Sequence, residues 1–215
     1  MNRISLKNNI EKIRNNELFD LASKNKVFTA MIIFFIIGIF LGSAMVKFSS
    51  DKQIEDITSL FLSSVKNRAE GQFLNIFIKS LSSYFIFVLI SFALGLTLWG
   101  FMVSFSVVFF RGFGLGVSAG YICMAYGFKG ILFYLAILLP GIFLSSLAII
   151  LMVKESIAFS YKFFSASVLH KHAEIFSKLD LSIYIKRTGC ILTMILAAAL
   201  IDILFNYLFA RFFVF

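Results

Sequence analysis

Long apolar runs constrain this chain more than any other feature of its sequence. The clearest runs are 27–46, 80–110 and 189–210, and a glycine-rich apolar stretch, 112–153, joins the last two. About 20 consecutive apolar residues are enough for an α-helix to cross the hydrocarbon core of a bilayer. The sequence therefore predicts an all-α, polytopic membrane bundle of about five transmembrane helices.

Composition excludes the main soluble classes. Hydrophobic residues make up 60% of the chain and the mean hydropathy is +0.95, which leaves too little polar surface to cover a soluble globule. The net charge of +9 is typical of some nucleic-acid-binding proteins, but the basic residues lie at the edges of the apolar runs, where membrane orientation explains them. No nucleic-acid partner is expected. Cys123 and Cys190 lie inside apolar runs and are expected to pack as small hydrophobic residues.

The distribution of lysine and arginine predicts the topology. Five spans with a cytoplasmic N-terminus place thirteen basic residues inside and seven outside, as the positive-inside rule favours. In this arrangement Arg111 lies at the cytoplasmic edge between the second and third spans, and Lys129 lies outside. The prediction is a multi-pass membrane protein with an external C-terminus.

The topology predicted from the basic residues divides the chain into segments. Residues 1–26 form a cytoplasmic amphipathic segment, and residues 27–215 form one transmembrane helical domain. That domain carries an external segment, 47–79, and a cytoplasmic segment, 154–188.

The external segment contains an apolar stripe. Its residues follow one another at spacings of three, four and four, which is typical of one face of a helix: Ile54, Ile57, Phe61 and Val65. Two interpretations stay open, an interfacial helix that covers the bundle and a docking face for a protein partner.

Glycines recur at intervals of four in two of the predicted spans. Gly38 and Gly42 lie in the first span, and Gly112, Gly116 and Gly120 lie in the third. Glycine lets helix backbones approach closely in lipid, where hydrophobic burial gives little net drive for association. These positions indicate a tightly packed bundle, with a homo-oligomer as a further possibility.

Two polar or irregular features fall inside the spans. Asp202, with Asn206 one turn later, is predicted to be a buried acid. It is either a functional residue or a structural one that holds helices together through hydrogen bonds. No second buried charge is expected to accompany it. Pro140 and Gly141 interrupt the fourth span and predict a broken or re-entrant helix there.

Catalytic motifs have weak support. Ser118 lies in a G-x-S-x-G pattern, but that pattern indicates a nucleophile only on a strand-turn-helix elbow, and here it falls in a predicted membrane helix. His170 and His172 have too few further ligands around them to predict a metal site. We expect no catalytic, cofactor-binding or metal-binding residue, and therefore no enzyme.

Several of these motifs together resemble a known family. The matching stretches are FIIGIFLG at 35–42, FRGFGLGVSAG at 110–120, YGFKG at 126–130, and the proline at Leu139-Pro140. Their order, with the long external segment and the glycine-rich third span, is similar to that of the stage II sporulation protein M family of bacterial membrane proteins. The resemblance implies a membrane scaffold that recruits two cell-wall-cleaving partners, stage II sporulation proteins D and P, during engulfment of the forespore.

The sequence therefore leaves two functions open. The first is a non-catalytic scaffold that anchors and localises peptidoglycan-remodelling enzymes. The alternative is a transporter of a small molecule, an ion or a lipid that uses the broken fourth span and Asp202, since discontinuous helices often mark substrate sites in transporters.

Overall fold

The computed structural model describes residues 3–49, 73–168 and 178–209, with side chains described for 26–49, 74–132, 134–167 and 181–208. The predicted apolar stripe, Ile54, Ile57, Phe61 and Val65, lies outside the described residues, as do most of the external segment 47–79 and the middle of the cytoplasmic segment 154–188. His170, His172 and the last six residues also lie outside them.

The described chain is almost entirely helical and contains no strand within those ranges. Five long helices each contain a stretch that is long and apolar enough to cross a membrane, which confirms the predicted fold class. They are α1 (Arg3–Phe48), α2 (Phe73–Gly95), α3 (Gly100–Phe133), α4 (Leu139–Val168) and α5 (Lys178–Phe209), with a short π-helix (Tyr134–Leu138) between α3 and α4.

The boundary between the second and third spans differs from the sequence prediction. The apolar run 80–110 is divided by a tight turn at 96–99, in which the Leu96 and Thr97 amides donate to the carbonyls of Ala93 and Leu94 at 3.1 Å. Gly100 permits this turn, because a Cβ there would overlap the Leu94 carbonyl oxygen. The placement of Arg111 at a cytoplasmic edge is therefore wrong: it lies eleven residues inside α3.

The chain reverses at Gly127, near the C-terminal end of the range given for α3 and two residues before Lys129, which the sequence places outside the membrane. Gly127 has φ 55° and ψ −137°, a left-handed backbone conformation that favours glycine. The Phe101 amide donates to Ser160 Oγ at 3.0 Å, and Arg111 contacts Ser145, so α3 and α4 form an antiparallel hairpin.

The irregularity predicted at Pro140 and Gly141 is displaced toward the N-terminus. Both residues have helical backbone in the first turn of α4, where proline is tolerated, and the π-helix ends just before them. Pro140 still accounts for the π-helix. Proline has no N–H to donate to the carbonyl four residues earlier, which belongs to Ala136 inside the π-helix.

The helices alternate in direction and enclose an apolar core. α1 and α3 run parallel to each other. α2 and α4 run antiparallel to α5, because Phe92 and Phe159 contact Tyr184 early in α5, whereas Ser80 and Gly141 contact Asp202 near its end. Fully buried core residues include Val108, Ile149, Met152, Ile195 and Ala198. Large apolar side chains also cover the outer surface, as expected for a bundle whose solvent is lipid.

Candidate functional site

The most extensive contact in the bundle joins α1 and α3, and it is built on glycine. A Cβ at Gly38 or Gly42 would overlap the carbonyl oxygen of Phe109 or Phe113. Conversely, a Cβ at Gly112 or Gly116 would overlap a carbonyl oxygen of α1.

The contact is looser at Gly120 and does not include Gly114, which lies on another face of α3. A Cβ at Gly120 would lie 3.1 Å from the Cα of Ser43, whereas one at Gly114 would meet nothing within 4 Å. The structure therefore places all five glycines singled out in the sequence at one helix interface within the same chain.

A buried polar cluster lies between the other helices. Its six members come from four different helices, and each side chain is at most 7% exposed: Ser80, Tyr84, Arg111, Ser145, Asp202 and Asn206. We call these six residues the polar cluster. Polar and charged groups inside a membrane bundle are costly unless they contact one another, so their convergence is the main chemical feature of the described interior.

Asp202 accepts hydrogen bonds from α2. Ser80 Oγ donates to Asp202 Oδ2 at 2.5 Å, and the Tyr84 hydroxyl lies 3.5 Å from the same oxygen. Gly141 of α4 packs against the carboxyl group, since a Cβ at that position would lie 2.9 Å from Oδ1. The structure thus brings Gly141 and Asp202, which the sequence singled out for separate reasons, into direct contact.

Arg111 lies on the other side of Tyr84. Its guanidinium is 5.1 Å from the centroid of the Tyr84 ring and 5.6 Å from that of Phe87, and its Nη2 donates to Ser145 Oγ at 2.8 Å. Tyr84 therefore contacts a cation with its ring face and a carboxylate with its hydroxyl. At 1.5 Å per residue, Arg111 lies about 16 Å from the start of α3, near the middle of a bilayer.

Comparison with known proteins assigns the chain to a family. Residues 31–205 match the family described as stage II sporulation protein M. The chain belongs to the stage II sporulation protein M family. The match covers the α1–α3 glycines and every member of the polar cluster except Asn206. No curated protein and no solved structure matches the chain.

Membership of the stage II sporulation protein M family, together with five apolar helices, makes this a multi-pass membrane protein related to sporulation. The match also agrees with the stretches that carried the resemblance in the sequence, since all of them fall within 31–205.

Arg111 is a site residue that the sequence did not reveal. The hydropathy pattern places every cation at a span edge and predicts no buried charge besides Asp202. This prediction is wrong, since Arg111 is 7% exposed inside α3. One signal was present: Arg111 separates an uncharged run, 80–110, from a further uncharged run that continues to Phe128. A single cation between two such runs is as compatible with a buried position inside one helix as with a loop between two helices.

A second set of polar contacts ties the helices together near the 96–99 turn. Ser156 and Ser160 of α4 donate to the carbonyls of Ser91 and Thr97 at 2.5 and 2.6 Å. The Tyr184 hydroxyl of α5 donates to the Phe92 carbonyl at 3.1 Å. The Tyr184 bond gives a partner to the Phe92 carbonyl, which is one of the last four carbonyls of α2 and has none within the helix. The Ser160 bond joins α4 to the turn itself at Thr97.

Metal chemistry has no support from the described side chains. Among them, no three His, Cys, Asp or Glu residues lie close enough together to hold a metal ion. The polar cluster consists of hydroxyl groups, one amide, one carboxyl and one guanidinium, a set suited to fixing helices against one another through hydrogen bonds and charge.

Proposed function

We propose that this chain is a non-catalytic membrane scaffold that anchors and localises peptidoglycan-remodelling enzymes during sporulation engulfment. The observation that carries the proposal is the family match over residues 31–205. By resemblance, the partners are stage II sporulation proteins D and P, and they bind on the external side of the membrane. The N-terminus is cytoplasmic and the C-terminus external in this proposal.

The packed interior supports a scaffold. The α1–α3 interface leaves no room for a methyl group at four glycines, and the Asp202 side chain is fully buried against Gly141. A rigid frame of this kind holds an external docking segment in place without moving. The docking segment is 47–79.

Transport is the second candidate, and one observation favours it. Arg111 and Asp202 are ionisable residues inside membrane-spanning helices, and such residues are functional candidates by default. An ion-coupled mechanism requires Asp202 to exchange a proton or a ligand during turnover. The full burial of its side chain in this conformation favours the scaffold instead.

A crosslinked pull-down tests the scaffold proposal. The tagged full-length protein is recovered from membranes of the native sporulating cell and, as a control, of the growing cell. We expect cell-wall hydrolases in the sporulating sample. Recovery of the protein without any such enzyme in both samples would contradict the proposal.

The apolar stripe of the external segment supplies a sharper variant. We expect Ile57→Asp with Phe61→Asp to lower hydrolase recovery at least tenfold, because each apolar side chain that loses a buried site costs about 1.5–3 kcal/mol and about 1.4 kcal/mol is a factor of ten. The measurement is quantitative mass spectrometry of the crosslinked sample.

A matched control adds the same charge to the opposite face of the same periodic segment. Ser59→Asp with Ser63→Asp is expected to leave recovery unchanged. Equal losses in both pairs would mean that added charge, and not the stripe, is responsible, and would remove this face from the proposal.

A further inference from the structure

A groove of about 380 Å³ lies between α2 and α5. Each helix contributes three lining residues within about one helical turn: Leu81, Ser82 and Phe85 of α2, and Leu192, Ile195 and Leu196 of α5. Ile195 is buried, whereas Phe85 and Leu196 are 43% and 45% exposed, so the groove opens to the surroundings of the bundle. We call it the α2–α5 groove, and it shares no residue with the polar cluster.

Contacts join α2 to α5 on both sides of the groove. Toward the start of α2, Ser80 Oγ donates to Asp202 Oδ2 at 2.5 Å. Toward the end of α2, the Phe92 ring stacks on the Tyr184 ring with the centroids 5.2 Å apart. Because the groove lies between these two contacts, α2 and α5 cannot close it by moving together unless one of the contacts rearranges.

The groove lies inside the hydrocarbon core of the membrane. On α2, Lys79 is the last charged residue before the uncharged run 80–110, and the lining begins two residues later at Leu81. On α5, Leu192 lies five residues after Arg187, about 8 Å further along the helix, and no charged residue follows before Asp202. Only acyl chains and other membrane helices have access to an apolar groove at this depth.

The size of the groove favours an acyl chain over a helix. One turn of an α-helix, about 5.4 Å long and about 10 Å across with its side chains, occupies roughly 420 Å³, more than the whole groove. Six lining residues are also far fewer than the 20 to 30 a side that are typical of a stable protein interface. An apolar cavity of about 150 Å³ already holds benzene, so a groove of this volume accommodates a segment of hydrocarbon chain. Its lining offers no charge and a single hydroxyl, that of Ser82.

We propose that the α2–α5 groove holds one acyl chain of a bilayer phospholipid, and that this lipid stays bound when the surrounding lipid is removed. The apolar side chains of both walls contact the chain, and Ser82 leaves room for it because its side chain is small. The acyl chain supplies packing partners to side chains that would otherwise lack them on one side. This site is independent of the proposed scaffold function.

A photoreactive phospholipid tests the proposal on the full chain. The protein is reconstituted with phosphatidylglycerol that carries a diazirine in the middle of one acyl chain, washed in mild detergent to remove loosely bound lipid, and then irradiated. We expect at most one crosslinked lipid per chain, with the adducts mapped by mass spectrometry to 81–85 and 192–196. Adducts spread evenly to exposed apolar residues elsewhere, such as Phe40 at 71% exposure, would overturn the proposal, because they would indicate only the general lipid layer. Retention of no lipid after washing would also overturn it.

Ser82→Leu and Ser83→Leu form a matched pair of variants. Both serines are exposed on α2, but only Ser82 lines the groove. Ser82→Leu should lower the yield of adducts about tenfold, the change in affinity that corresponds to displacing two methylene groups from an apolar site. Ser83→Leu should leave the yield unchanged. An equal yield from the two variants would contradict the proposal, because the retained lipid would then be bound elsewhere on the bundle.

Discussion

Replacing Gly116 with leucine is expected to lower the free energy of unfolding of the bundle by about 3 kcal/mol, the upper part of the usual range for overpacking. A Cβ at Gly116 would overlap the carbonyl oxygen of Ile39 and would lie 2.8 Å from its carbonyl carbon. Backbone atoms cannot rotate away as a flexible side chain can, so α1 and α3 must separate along their whole contact. The measurement is unfolding in mixed micelles of mild detergent and dodecyl sulfate, followed by circular dichroism.

Gly114→Leu is the control for this prediction. It makes the same chemical change two residues earlier on the same helix, at a position where a Cβ would meet nothing within 4 Å. We expect its free energy of unfolding to stay within about 0.5 kcal/mol of the unmodified protein. Equal destabilisation by the two variants would show that helix propensity or insertion, and not the α1–α3 contact, sets the cost.

The glycine interface shows what the sequence predicts well. Intervals of four residues on two separate apolar runs indicate close helix contacts, because only residues without a Cβ allow backbones so near each other. The sequence did not show that the two glycine sets face each other within one chain. Pairing between distant helices depends on how the whole bundle packs, and a repeat of four is equally compatible with contact between two copies.

Arg111 and the 96–99 turn show where sequence reasoning fails. The rule that cations mark membrane edges is statistical, and it assigned Arg111 to an edge that does not exist. The true turn, between Gly95 and Gly100, carries no charge at all, so hydropathy does not reveal it. What allows Arg111 to be buried is the combined presence of Ser145, Tyr84 and Phe87 from two other helices. No local pattern contains that information.

The burial of Arg111 leads to the second large effect. We expect Arg111→Met to destabilise the bundle by about 3–5 kcal/mol, the usual cost of removing one member of a buried charged set. The substitution keeps most of the length of the side chain but leaves the Asp202 carboxyl without its nearby cation and removes the donor to Ser145 Oγ. Lys129→Met, at an exposed cation, is the control, with an expected change within about 0.5 kcal/mol.

Asp202→Asn alone is expected to destabilise as well, because Arg111 would then remain buried without an acid in the polar cluster. The double variant Arg111→Met with Asp202→Asn removes both charges, and its loss should fall short of the sum of the single losses by about 1–3 kcal/mol. Strict additivity would show that Arg111 and Asp202 do not stabilise each other, either directly or through Tyr84. The same variant also separates the two functions. A scaffold needs only the folded bundle and should recover its partners once the double variant is stable, whereas a transporter coupled through Asp202 should stay inactive however well that variant folds.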